Sequence, residues 1–143
     1  MQRAITNLLV YDNQFLVVFE SGDSEMFWIY EEQRKNVGFQ MYKASFAATI
    51  TDQKIFRVNG DKDAEHEVGV TFACFDQTSG CFLTGDKNGI VKLWSKSKRL
   101  LTEFSFFEHP TAAVFKSGDF EILLGHKQLV SEVPLAPLIK QGL

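Results

Sequence analysis

The sequence predicts an all-β protein, and three observations carry that expectation. Val70–Phe75, Cys81–Thr84 and Ile90–Trp94 are short β-type runs separated by polar turns at Asp76–Gly80 and Gly85–Gly89, the spacing of an antiparallel meander. Asn88-Gly89 is a strong turn signal, since both residues tolerate positive φ. The chain carries 14 Phe, and aromatic side chains suit the half-buried surface of a sheet.

Taken in order, Ala4–Tyr11 and Gln14–Glu20 are apolar runs joined by Asp12-Asn13, and 21–24 is a turn before a third run, Glu25–Tyr30. Glu31–Lys35 reads as a solvated turn or strand end. Val37–Tyr42 follows, and Ala44–Val58 should contain a strand at Thr49–Val58, with Ala47-Ala48 open to a short helix. Asn59–Glu67 is acidic. Asp61, Asp63 and Glu65 have the alternate spacing of a calcium loop, but His66 stands where that loop needs Gly and Phe72 where it needs a bidentate Glu, so a solvated loop is expected. After the central meander, the basic stretch Lys96–Arg99 leads into a fourth strand at Arg99–Phe107. Ala112–Lys116, Phe120–Leu124 and Gln128–Val133 then repeat the pattern, with turns at 117–119 and Gly125–Lys127. Pro134 and Pro137 should stop the sheet, because proline cannot donate to a ladder.

The stretch from His66 to Trp94 resembles one blade of a WD-repeat β-propeller. That family opens a repeat with Gly-His and closes it with Trp-Asp, and its His, Ser/Thr, Asp and Trp form a hydrogen-bonded chain that pins the incoming loop to a turn. Here His66 takes the His place with Glu65 instead of Gly, Thr84 the Ser/Thr place, Asn88 the Asp place, and Trp94 is followed by Ser95. An Asn accepts without a full charge, so its bond to the imidazole should be the weaker one. Glu108-His109 repeats Glu65-His66 at a separation of 43 residues, within the range of about 40 to 45 for such repeats.

The resemblance implies a partial WD-repeat propeller of about three blades: a degenerate one at 4–58, the best-formed at 66–107, an incomplete one at 109–133, and an exit tail at 134–143. Propellers typically close with four to eight blades. Three would leave two apolar blade faces in water, so further blades from a longer chain or another subunit are expected. His66, Thr84, Asn88 and Trp94 should fix loop geometry rather than touch a ligand. Exposed turn residues, for example Asp86, Lys87 and Lys96, are the candidates for partner contact.

Several functions are not indicated. A net charge of −3 and the absence of a basic face argue against nucleic acid. The cluster Lys92, Lys96, Lys98 and Arg99 could touch an acidic partner such as tubulin or lipid headgroups, though a solvated connection is the simpler reading. No apolar run approaches membrane-spanning length, and Met1-Gln2-Arg3 is not followed by a signal-peptide core, so no membrane partner is expected. Cys74 and Cys81 fall in adjacent strands and read as buried free thiols of a reducing, intracellular compartment.

No phosphate loop or zinc-ligand spacing is present, and no metal or cofactor is expected. His66, Asp86 and Cys74 could come together, but the resemblance already gives the His a structural task, so no enzyme is expected. His126 reads as a polar turn residue.

The phrase from Gly118 to Pro134 resembles the close of propellers in large cilia- and flagella-associated WD-repeat proteins. It implies a non-catalytic protein–protein scaffold of the ciliary axoneme, tubulin-associated or otherwise. The alternatives are a cytosolic adaptor, such as a ubiquitin-ligase substrate receptor or trafficking-coat subunit, and a self-contained small β domain with a ligand-binding or enzymatic role.

Overall fold

The computed structural model describes residues 4–33, 51–106, 109–116, 121–127 and 129–135. The protein is all-β. Among the described residues, eleven strands form three antiparallel sheets: sheet 1 from β1 (Ile5–Tyr11), β2 (Gln14–Phe19), β3 (Ser24–Gln33) and β4 (Thr51–Val58); sheet 2 from β5 (Val70–Phe75), β6 (Phe82–Asp86), β7 (Ile90–Trp94) and β8 (Leu100–Ser105); and sheet 3 from β9 (Ala112–Lys116), β10 (Glu121–His126) and β11 (Leu129–Pro134). Strands pair in chain order within each sheet. The first strand of sheet 2, β5, lies against the first strands of both neighbours, β1 and β9.

Sheet 2 is therefore covered on both faces, and its sequence shows how. On β6 and β7, Phe82 and Trp94 join Leu16, Val18 and Met26 of sheet 1 in one core, while Leu83, Val91 and Leu93 join Ile122 and Leu124 of sheet 3 in the other. Successive residues of a strand point to opposite faces, so continuous apolar runs such as these belong in a sheet buried on both sides. A bulge in β5 between Val70 and Phe72 breaks this alternation and sends Val70 to the first core and Phe72 to the second.

Several boundaries differ from the sequence-based expectation. The second strand of the meander continues through Gly85 and Asp86, where the sequence pattern predicts a turn. A Cβ at Gly85 would overlap the Phe72 ring, so glycine serves close packing inside a strand here, and Gly85 itself pairs with Val91. Of the Asn88-Gly89 pair, only Gly89 uses positive φ (83°). β3 runs on into the charged segment to Gln33, because β4 supplies backbone partners as far as the Gln33–Thr51 pair. Gly125 and His126 belong to β10, and the turn reduces to the vicinity of Lys127, at φ 51°. Pro134 ends β11 instead of standing outside it; β11 is an edge strand, where a missing N–H is tolerated. The acidic loop contains a 3-10 turn, Lys62–Ala64. Val37–Tyr42 and Ala47-Ala48 lie outside the described residues.

Candidate functional site: a buried His–Thr–Trp–Asp chain

On the face of sheet 2 that meets sheet 1, four side chains form one directed hydrogen-bonded chain. Trp94 Nε1 is 2.9 Å from Thr84 Oγ1, Thr84 Oγ1 is 2.6 Å from His66 Nε2, and His66 Nδ1 is 2.7 Å from Asp86 Oδ2. An indole nitrogen can only donate, and a carboxylate can only accept. The proton on the imidazole therefore sits on Nδ1 and is donated to Asp86, leaving Nε2 to accept the Thr84 hydroxyl proton, while Thr84 Oγ1 accepts from Trp94. Each polar atom is satisfied, as burial demands: all four residues are 5% exposed or less. Burial holds the His66 pKa below the ordinary imidazole value despite the opposing pull of Asp86.

Asp86 also organises the turn beyond it. Its Oδ1 accepts from the backbone N–H of Asn88 at 2.8 Å and of Ile90 at 3.1 Å. Sequence reasoning put Asn88 in the carboxylate's place and Asp86 on an exposed turn. The structure reverses both: the Asn88 side chain is exposed and Asp86 is buried. The reason is strand parity. Because β6 extends through Gly85, residues 82, 84 and 86 share one face, and Asp86 points where Thr84 points.

The loop carrying His66 is held by further polar contacts that the sequence did not announce. Glu65 Oε2 accepts from the Ser24 backbone N–H at 2.6 Å and the Ser24 hydroxyl at 3.1 Å, tying the loop to sheet 1. Glu65 Oε1 accepts from Lys98, whose ammonium also lies 5.0 Å from the centre of the Trp94 ring. Lys92 donates to the carbonyls of Ala64 and Glu65. Asp61 accepts from the Leu100 N–H and the Arg99 guanidinium, which together hold its carboxyl below its usual range. Of the basic cluster read as a solvated or partner-facing stretch, Lys92 and Lys98 are thus buried in this joint; Lys96 and Arg99 are exposed.

The same close packing sets the glycines. Gly60 lies against the Lys98 main chain and stem, and Gly22 (φ 100°) lies against the His66 carbonyl, where a Cβ would be 2.5 Å from the oxygen.

Thr84, His66 and Asp86 have the order of a nucleophile, base and orienting acid. However, Thr84 is 1% exposed, sits inside a covered strand, and its oxygen already accepts the indole N–H. The arrangement fixes the loop and turn against sheet 2 and gives a reacting carbonyl no approach to Thr84 Oγ1. Cys74, half-buried, has its thiol pushed up to about 12 by burial and then by the Asp76 charge. Among the described residues, no group of three or more His, Cys, Asp or Glu is placed to hold a metal ion. No helix among them is long and apolar enough to cross a membrane.

The remaining sequence candidates lie elsewhere. Lys87 is exposed, its carbonyl accepting from His109 Nδ1 at 3.0 Å. Lys96 is exposed beside a small cavity of about 120 Å³ that it lines with Asp12, Asn13, Gln14 and Trp28. His109, the counterpart of His66 by spacing, is exposed, whereas buried His126 packs edge-on against Phe106 and lies 3.2 Å from the Ser131 hydroxyl.

Neither a protein-family model nor a curated protein matches this chain.

Proposed function

We propose that the chain is part of a WD-repeat β-propeller and acts as a non-catalytic scaffold that holds other proteins. The observation carrying this reading is the His66–Thr84–Trp94 chain ending on Asp86. It joins the residue types that the sequence resemblance singles out, on one face of a four-stranded meander whose first strand lies between those of its neighbours. Such a network rigidifies loops and leaves the turns at 87–88 and 96–97 to meet a partner.

Among scaffolds we favour one of the ciliary axoneme, on the resemblance of the closing phrase from Gly118 to Pro134. The test is fractionation of a tagged chain from ciliated cells after detergent extraction. Sedimentation with axonemes is the expected result. Complete recovery in the soluble fraction would remove the axonemal assignment and favour a cytosolic adaptor. A negative-stain image of the assembled particle tests the propeller itself: a ring of sheets around a channel is expected, and a closed three-sheet particle would overturn it.

A further inference from the structure

We propose that the cavity between the β1–β2 turn and Lys96 receives the guanidinium of an arginine carried by a partner protein. The proposal deepens the scaffold reading and rests on it only for the arginine's belonging to another protein.

The cavity is framed by groups that the fold holds in place. Asp12 and Asn13 form the turn between β1 and β2, Asp12 at φ 51°, and the Asn13 carbonyl accepts the Ile29 N–H at 2.6 Å. Gln14 opens β2 and pairs with Trp28 of β3, so the two side chains stand side by side on the face of sheet 1 turned to sheet 2. Lys96 comes from sheet 2. Its carbonyl accepts from Gln14 Nε2 at 3.2 Å, and its stem lies against Gly80, where a Cβ would be 3.2 Å from it. The space between these groups is about 120 Å³. A water needs roughly 10 to 15 Å³ on the same measure, so there is room for the end of a side chain.

Gln14 indicates what kind of end. The residue is 3% exposed, and its Nε2 donates to the Lys96 carbonyl and the Met26 sulfur. Among the described residues, nothing donates to its Oε1. A buried amide oxygen without a donor is costly, and the cavity that Gln14 lines is where a donor can reach it. Asp12 adds an exposed carboxylate that has no ion-pair partner among the described residues. Trp28, 47% exposed, supplies an indole as the wall.

A buried acceptor, a carboxylate at the rim and an aromatic wall together select a flat cation rich in N–H groups. A guanidinium carries five N–H donors in one plane, stacks on an indole and is weakly hydrated. An ammonium is a compact, strongly hydrated point charge and gains less from the same wall. The cavity has room for the guanidinium and the methylene beside it, so the chain bearing the arginine stays outside. The net charge of −3 favours a cationic partner at longer range.

Lys96 opposes a cation, and this gives the proposal a sign that can be read. Its ammonium makes no ion pair with Asp12, although both line the cavity. Removing that charge should tighten a bound cation and loosen a bound anion.

The test is nitrogen–proton correlation NMR of the full chain, titrated with N-acetyl-arginine amide. Saturable shifts of the Trp28 indole N–H and the Gln14 side-chain amide are expected, with the buried Trp94 indole unmoved. The neutral analogue N-acetyl-citrulline amide should bind at least about tenfold more weakly. Asp12→Asn keeps a residue that tolerates positive φ and should weaken binding about threefold. Trp28→Leu should weaken it about as much, and Lys96→Gln should tighten it about twofold. All three positions are exposed, so circular dichroism of the variants should match the parent. No shift at Trp28 up to about 50 mM ligand would overturn the proposal and leave the scaffold reading to its own test by fractionation. Equal binding of the citrulline analogue, or weaker binding after Lys96→Gln, would overturn it by making the ligand neutral or anionic. Free arginine bound about tenfold more tightly than the capped form would overturn it in favour of an amino-acid site, and would count against the scaffold as well.

Discussion

Glu65 and Lys98 are ion-paired across the joint between sheets 1 and 2, with the Lys98 side chain 3% and the Glu65 side chain 13% exposed. The pair brackets Trp94: the Lys98 ammonium lies over its ring, and Glu65 immediately precedes the histidine that Trp94 reaches through Thr84. The ion pair and the hydrogen-bonded chain that ends on Asp86 both hold the loop carrying His66. Removing one member of either should therefore cost more than an isolated contact, since buried groups lose their partners.

Trp94 is fully buried and anchors both systems. Trp94→Ala should destabilise the protein by about 3 to 5 kcal/mol, as for other large aromatic deletions. Trp94→Phe keeps most of the packing and removes the donor to Thr84, and should cost roughly 1 to 2 kcal/mol. Urea unfolding followed by circular dichroism measures both. Equal losses would mean that the indole hydrogen bond, and not the ring, dominates.

The carboxylate position is open to a direct comparison. Asp86→Ala strands three donors, His66 Nδ1 and the N–H groups of Asn88 and Ile90, and should cost at least about 3 kcal/mol. Asn88→Ala alters an exposed side chain and should change stability by no more than about 0.5 kcal/mol. A larger loss at Asn88 than at Asp86 in thermal or urea melts would overturn the assignment.

Stability should also depend on pH through His66. Its folded-state pKa lies below the ordinary 6.5, mainly because burial disfavours the imidazolium. Between the folded value and 6.5, the unfolded chain binds a proton that the folded chain does not. His66 therefore contributes its full stability above pH 6.5 and loses it as the pH falls through that window. Urea midpoints between pH 7.5 and 5.5 should fall in the parent protein, while His66→Gln should be less stable throughout with a flatter profile. Parallel profiles would exclude His66 as the titrating group.

Cys74 offers a chemical readout of the second core. With its thiol pushed from 9.0 to about 12, the reactive thiolate fraction at neutral pH falls about a thousandfold. Iodoacetamide at pH 8 should leave Cys74 unmodified in the folded protein and label it once urea is added, as read by peptide mass spectrometry. Prompt labelling of the native protein would show that the contact between sheets 2 and 3 opens readily.

The strands of the central meander and the aromatic character of their faces were legible in the residues alone, because alternation and turn chemistry are local properties of the backbone. The sequence also brought His66, Thr84 and Trp94 into one argument. Asp86 was within reach of the same alternation, since residues 82, 84 and 86 share parity, but Gly85 read as a turn residue and hid the strand's continuation. Its glycine is needed instead by the Phe72 ring, a contact made across the sheet. That Lys92 and Lys98 are buried, that Glu65 reaches Ser24, and that sheet 2 is covered on both faces emerged from the assembled fold. A charged side chain's fate depends on which carbonyls and carboxylates the neighbouring sheets bring to it, and no local pattern in the chain encodes that meeting.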